Sequence, residues 1–135
     1  MFSGGAVVEA KPGFAIADFD HIEPDMCPCG PSRRAFVDGD GTPSLHRVEI
    51  QKQDQPHRHQ TGEIYYILSC GPNAAMMLDG KRHPVLPGIA IKIRGGVMHC
   101  ADRGGEETMV VLVYVDTGHG SPETKMEFPP EAPNL

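Results

Sequence analysis

Short runs of alternating apolar and polar residues, separated by turn residues, fill the stretch from residue 44 to residue 115. Such runs are typical of β-strands, and no window of 11 or more residues sustains a helical period. Sixteen glycines and thirteen prolines among 135 residues, well above average usage, also favour many tight turns over long helices. The pattern predicts an all-β hairpin meander with strands over 45–51, 63–69, 74–79, 89–93 and 109–115.

The chain divides into three parts that we expect to form one domain overall. Residues 1–43 carry frequent proline and glycine, which predicts an irregular N-terminal arm packed on a barrel formed by residues 44–115. Residues 116–135 are polar and proline-rich, which indicates a surface arm or a frayed tail. A chain of 135 residues can bury one adequate core without disulfide bonds.

Three histidines and one glutamate form a candidate metal site: His57, His59, Glu63 and, 36 residues after Glu63, His99. In an extended strand, residues two apart point to the same face, so His57 and His59 converge only if their segment is β. Glu63 keeps that parity. Directed into an apolar barrel, these side chains carry a large desolvation cost unless a cation or mutual hydrogen bonds compensate it. We predict that they bind one divalent transition metal ion, either iron, manganese, nickel or zinc.

The same residues resemble the paired motifs of the cupin superfamily, and the resemblance extends over residues 44–115. The segment 63–68 in particular is similar to small single-domain bacterial cupins. Both halves of the motif are present in order: His57-x-His59-x-x-x-Glu63, then a hairpin, then Gly88-x5-Arg94-x-Gly-x-x-His99.

The resemblance implies a jelly-roll double-stranded β-helix whose inward-facing residues build a ligand site near its middle. In that fold, His57 and His59 on one strand, Glu63 at the beginning of the next and His99 at the end of a later strand would meet inside the barrel. The sequence departs from the usual motif at Gln51, Cys70, Arg94 and Arg103, none of them a predicted metal ligand.

Four protein ligands leave a metal ion one or two positions for water, dioxygen or substrate. With iron, this favours a dioxygenase; with manganese, zinc or nickel, it favours an isomerase, epimerase or lyase acting on a small polar or sugar-like substrate. The alternative is a non-catalytic cupin that binds or senses a small ligand. Nothing in the sequence resembles the helix-turn-helix that often accompanies a sensor, and storage cupins normally carry two barrels. A stand-alone metalloenzyme is therefore the leading hypothesis.

Three further residues are candidates for catalysis or substrate binding. Tyr65 shares the inward parity of Glu63, so it is a candidate proton shuttle beside the metal, or else an aromatic core residue. His46 has the inward parity of its own strand, where it could orient a substrate or be a buried structural histidine. Arg94 could hold a carboxylate or phosphate at the pocket rim, or be a solvated turn residue.

Cys27 and Cys29 lie in a compact run of turn residues that also contains two arginines. We hypothesise that this run, residues 26–34, folds over the mouth of the barrel. The first 13 residues lack the apolar stretch of a signal peptide or membrane span, which predicts a cytoplasmic protein without a membrane partner. In that compartment the four cysteines are expected to stay reduced.

The net charge is −6, with both signs interspersed. The chain therefore offers no broad basic face for a phosphate backbone, and we expect no nucleic-acid partner. Edge strands of single-domain jelly rolls are often covered by a second subunit, which predicts a homodimer.

Overall fold

The computed structural model describes residues 7–38 and 42–116, together with the backbone of residues 125–126. Its described residues contain a 3₁₀ turn at Phe19–His21 and no α-helix, so the all-β prediction is confirmed. The strands are β1 (Val7–Lys11), β2 (Phe14–Ala17), β3 (Asp25–Cys27), β4 (Gly30–Ala35), β5 (Ser44–Ile50), β6 (Arg58–His59), β7 (Glu63–Ser69), β8 (Ala75–Leu78), β9 (Lys81–Pro84), β10 (Ala90–Ile93), β11 (His99–Asp102), β12 (Met109–Val115) and β13 (Lys125–Met126).

Two antiparallel sheets enclose the core, as expected for a jelly roll. The larger sheet has the strand order β10-β7-β12-β5-β4-β3, and the smaller one has the order β11-β8-β9. β1 and β2 form a separate hairpin, and β13 pairs with β6. The simple meander predicted from the turns is wrong for most of the chain, because β12 lies between β5 and β7. Turn residues mark where a chain reverses, but burial of the apolar faces decides which strands become neighbours.

Alternation along the strands decides which side chains enter the core. On β7, Tyr65 and Ile67 are buried, whereas Tyr66 and Leu68 expose 42% and 41% of their surface. Ile67 is fully buried and packs in the same cluster as Met76 from the smaller sheet. Burying a side chain of this size contributes about 2 to 3 kcal/mol, and the core lies between the two sheets.

The strand register aligns buried residues of β5, β12 and β7 in rows across the inner face of the larger sheet. Because a neighbouring strand lies only about 5 Å away, each row brings chemically different side chains close together. Read from β5 to β7, one row is Ser44, Val115 and Glu63, and the next is His46, Val113 and Tyr65.

The predicted strands over 63–69 and 109–115 coincide with β7 and β12, and the other three lie within one residue of β5, β8 and β10. Asp79 and Gly80 form the two-residue hairpin turn that an Asp-Gly pair favours, with positive φ angles of 49° and 83°. β9 is not among the strands that the sequence predicts. Its four residues are all exposed and charged or polar for the most part, so this edge strand lacks the alternation that marks a half-buried one.

The N-terminal part is more regular than predicted. β3 and β4 extend the larger sheet, with β4 paired to β5, instead of forming an irregular arm. Gly30 allows this, because it has φ 147° and a Cβ there would overlap the carbonyl oxygen of Glu49. β3 has only three residues and β4 begins with Gly30 and Pro31, so neither is recognised as a strand from its pattern. The predicted tail lies outside the described residues except for Asp116 and the backbone of 125–126.

Candidate metal centre

His57 and His99 form the backbone frame of the site. The two residues make an isolated antiparallel bridge, in which the His57 N–H donates to the His99 carbonyl at 2.9 Å and the reverse hydrogen bond measures 2.8 Å. Directly paired residues project their side chains from the same face of a ladder. The two imidazole ring centroids accordingly lie 4.5 Å apart.

Backbone carbonyls orient both imidazoles. His57 Nδ1 lies 2.7 Å from the carbonyl oxygen of Gln55, and His99 Nδ1 lies 2.8 Å from that of Val97. A carbonyl oxygen can only accept a hydrogen bond, so Nδ1 carries the proton in each neutral ring and the lone pair is on Nε2. Metal-binding histidines are commonly held in this way by a partner on the second ring nitrogen.

Glu63 lies between His59 and His99. Its Oε2 is 3.4 Å from His59 Nε2, and its Oε1 is 3.1 Å from His99 Nε2. The candidate ligand atoms of His57, His59 and His99 all lie within 4.8 Å of one another. The structure therefore brings the four predicted ligands together at the place where β7 and β11 begin. His99 begins its strand, which corrects the prediction that it ends one.

The donor set fits a metal ion. Glu63 Oε1 and His99 Nε2 are completely buried, and despite their 3.1 Å separation neither has a partner in hydrogen-bonding geometry. Leaving such buried groups unsatisfied costs about 1 to 3 kcal/mol each. A cation coordinated by both atoms would remove that cost, and imidazole with carboxylate suits first-row divalent metals.

Electrostatics keep the carboxylate of Glu63 anionic. Burial acts to raise its pKa, but the adjacent His99 and the nearby positive charge that His59 and His57 can carry outweigh burial, so that the pKa is lowered. An ionised carboxylate is the form that a metal ion binds.

A glycine turn supports the connection between His59 and Glu63. The N–H of Gly96 donates to the carbonyl oxygen of His59 at 2.7 Å. A Cβ on Gly95 would overlap the carbonyl oxygen of Gln60, so only glycine allows this close approach. The turn that precedes His99 thus packs directly on the segment that carries His59.

Asp54 ties the loop before His57 to β11. Its carboxylate accepts hydrogen bonds from the backbone N–H of Gln55 at 2.9 Å and from that of Ala101 at 3.2 Å. Gln55 in turn supplies the carbonyl that orients His57. The sequence pattern gives no indication of this link, because the backbone N–H of Ala101 lies 47 residues from Asp54 in the chain.

Tyr65 lies beside the site. Its ring contacts that of His99 edge-on, with 5.8 Å between centroids, and the side chain belongs to the core cluster. Burial, reinforced by the carboxylate of Glu63, raises the pKa of Tyr65 well above its usual value. The phenol therefore stays protonated at neutral pH, where it can donate a hydrogen bond.

His46 shares the inner face of the sheet with Tyr65. It is 8% exposed, and its Nε2 lies 2.9 Å from the hydroxyl oxygen of Ser44. Burial, helped by the positive charge of Arg34 and opposed by Glu63, lowers the pKa of His46 to about 4. The imidazole is therefore neutral at physiological pH.

Arg94 and Arg34 lie in different surroundings. Arg94 is exposed in the turn after β10, and among the described residues its side chain makes no hydrogen bond or ion pair with the site. Arg34, in contrast, is paired on β4 with the inward-facing His46. The sequence does not reveal Arg34 as an inward-facing residue, because β4 lacks a recognisable strand pattern from which its parity could be assigned.

Cys27 is the last residue of β3, and Cys29 lies in the turn before β4. Cys29 is buried in the main core cluster and Cys27 packs against that cluster, so Cys29 serves as a core residue. The carbonyl of Cys29 also accepts a hydrogen bond from Gln51 at 2.7 Å. Among the described residues, Cys27, Cys29, Cys70 and Cys100 form no disulfide bond.

A family model described as a cupin domain matches residues 44–115, more than half of the chain. The chain belongs to the cupin family. The superfamily resemblance predicted from the paired motifs is thus confirmed, and no curated protein matches the chain. No helix among the described residues is long and apolar enough to cross a membrane.

Solved structures of similar shape include a protein from Planctomyces limnophilus, at 30% identity over 83% of this cupin and 95% of that chain, with a TM-score of 0.69. The polyketide cyclase RemF from Streptomyces resistomycificus is 20% identical, with 87% of both chains covered and a TM-score of 0.65. Oxalate decarboxylase OxdC from Bacillus subtilis is 18% identical over 78% of this cupin and 30% of its own chain, with a TM-score of 0.64. At these identities the two enzymes show a shared fold.

Proposed function

We propose that this cupin binds one divalent transition metal ion through His57, His59, Glu63 and His99, and that it is a small-molecule metalloenzyme. The observation that carries the proposal is the buried contact between Glu63 Oε1 and His99 Nε2, which lacks hydrogen-bonding geometry. A bound iron, manganese, nickel or zinc ion would supply Lewis-acid chemistry or, for a redox-active metal, electron transfer.

The surrounding residues have distinct proton chemistry. Tyr65, whose pKa is raised, is suited to donate a hydrogen bond to a substrate oxygen. His46, whose pKa is about 4, is neutral and can take up a proton, although as a weak base. We assign these roles to Tyr65 and His46 because both side chains lie on the inner face beside the metal ligands. Arg94, at its exposed turn, stays a predicted contact for substrate at the rim.

The reaction class follows from the metal: a dioxygenase with iron, or an isomerase, epimerase or lyase with manganese, nickel or zinc, acting on a small polar or sugar-like substrate. Two of the similar structures are, by name, a polyketide cyclase and an oxalate decarboxylase. Their names support catalysis on small molecules by this fold, and their difference leaves the substrate of this chain open.

A non-catalytic cupin that binds or senses a small ligand is the second candidate. One observation favours it: neither the pKa of Tyr65, which is raised, nor that of His46, about 4, lies near neutrality. General acid–base catalysts are most effective when their pKa is close to the working pH.

We also propose a cytoplasmic homodimer. Four cysteines without a disulfide bond are consistent with a reducing compartment. The outer face of β7 and β12 exposes Ile64, Tyr66, Leu68 and Tyr114, each by 38% to 45%, and a second subunit would cover such a patch. Light scattering at micromolar concentration tests this: a monomer would contradict it.

Elemental analysis of protein purified without added metal tests the metal site. We expect about one ion per chain in the wild type and almost none in His57→Ala and His99→Ala. His83→Ala, which removes an exposed histidine on β9, is the matched control and should keep its metal. Equal metal content in the wild type and both site variants would refute the proposal.

A further inference from the structure

Arg33 and Arg34 point to opposite faces of the larger sheet. Arg33 donates a hydrogen bond to the carbonyl of Ile22 at 2.9 Å, on the side covered by the segment before β3. Arg34 is paired with His46, whose side chain is buried in the barrel. Alternation along β4 therefore places Arg34 on the inner face, the face that also carries Glu63 and Tyr65.

The inner face thus holds a fixed positive charge at a distance from the metal ligands. The side chain of Arg34 is 24% exposed, and its Nε lies 3.7 Å from Oδ2 of Asp25, whose own side chain is 68% exposed. A guanidinium keeps its charge at any physiological pH, and its donors match the two oxygens of a carboxylate.

Side chains of different character follow one another in the row between Arg34 and the metal ligands. Across β4, β5, β12 and β7 it runs Arg34, His46, Val113 and Tyr65. Three strand spacings separate its ends, roughly 14 Å at backbone level. A molecule lying along this row would meet a cation at one end, an apolar stretch at Val113, and the metal ligands near the other.

We propose that Arg34 binds a carboxylate of an acidic small-molecule substrate whose other end lies at the metal centre. This inference rests on the proposed metal site and names the substrate class of that site. His46 beside Arg34 is neutral at physiological pH, so the positive charge at this end of the row comes from Arg34.

Isothermal titration of the zinc-loaded full chain with malonate, succinate and adipate tests the proposal. We expect one of these dicarboxylates to bind at least tenfold more weakly to Arg34→Gln than to the wild type. Lys92→Gln is the matched control, because it removes one positive charge from an exposed position on β10. The monoamide of the best dicarboxylate should bind weakly to the wild type and be insensitive to Arg34→Gln.

Two more variants separate the possible roles of Arg34. If Arg34 only holds Asp25, then Asp25→Asn and Arg34→Gln should have the same effect; we expect Asp25→Asn to keep or increase dicarboxylate affinity. If Arg94→Gln, and not Arg34→Gln, weakens binding, the anion site lies at the rim and the proposal is wrong. Zinc binding, measured by chelator competition, separates failure of the proposed metal site from failure of the proposed substrate class. A wild type without stoichiometric zinc overturns both, whereas zinc-loaded variants with unchanged dicarboxylate affinity overturn the substrate class alone.

Discussion

His57 and His99 lie 42 positions apart in the chain and face each other across one antiparallel bridge with backbone hydrogen bonds of 2.9 and 2.8 Å. The backbones of the two halves of the cupin motif are thus hydrogen-bonded directly to each other. Each imidazole is oriented by the carbonyl two residues before it. A metal ion bound by both would hold this junction closed, so metal binding and folding should be thermodynamically linked.

Zinc should therefore raise the thermal stability of the protein. At a free zinc concentration 100 times Kd, binding to the folded state adds about 2.7 kcal/mol to the free energy of unfolding. For a domain of this size that corresponds to a rise in Tm of about 10 °C. Differential scanning fluorimetry of chelator-treated protein, with and without zinc, measures this shift. His57→Ala should abolish it and His83→Ala should retain it; an equal shift in both variants would place the binding elsewhere.

The close approach of Gly95 to Gln60 should be necessary for metal affinity. In Gly95→Ala the new methyl group overlaps the Gln60 carbonyl, so the segment between His59 and Glu63 must move. We expect metal affinity to fall by about tenfold or more, as for other supports of metal ligands. At Gly105 an added Cβ meets nothing within 4 Å, so Gly105→Ala should bind metal like the wild type. Chelator competition measures the metal affinity of both variants. An unchanged metal affinity in Gly95→Ala would count against this packing.

The register of β7 can be tested with neighbouring residues of similar size. Ile67 is fully buried, so Ile67→Ala should lower the free energy of unfolding by about 3 kcal/mol. Leu68 is 41% exposed on the opposite face, so Leu68→Ala should lower the free energy of unfolding by less than about 1 kcal/mol. Urea denaturation gives both values. The reverse order of effects would mean that the strand is shifted by one residue.

His46 should make the stability depend on pH. Its pKa falls from 6.5 to about 4 on folding, so above pH 6.5 it is neutral in both states and contributes no pH dependence. As the pH falls from 6.5 towards 4, the unfolded chain takes up a proton that the folded chain excludes, and stability is lost. The loss reaches about 3 kcal/mol below pH 4.

Urea denaturation of chelator-treated protein between pH 8 and pH 4 measures this loss. The comparison with His46→Gln removes the contribution of every other titrating group, including Glu63. The difference in unfolding free energy between wild type and variant should change across this range. A difference that stays constant with pH would show that His46 titrates normally in the folded protein.

The local pattern of the chain was sufficient to predict several features. The strands β7 and β12 follow from alternation over seven residues, and the Asp79-Gly80 turn follows from the backbone angles that these residues tolerate. His57, His59 and Glu63 share one parity along the chain, which needs no tertiary information. Alternation failed for β9, which is exposed throughout, and for β3 and β4, which are short and rich in turn residues.

What the sequence by itself determined is therefore the all-β class, the cupin motif and the identity of the residues offered to a metal. Only the tertiary structure decided that His57 pairs with His99, that β12 lies between β5 and β7, and that Arg34 rather than Arg94 faces inward. The physical reason is that alternation fixes the face of a side chain relative to its own strand. Which strand becomes the neighbour depends on closing the apolar faces of both sheets over one core, and this involves residues far apart in the chain.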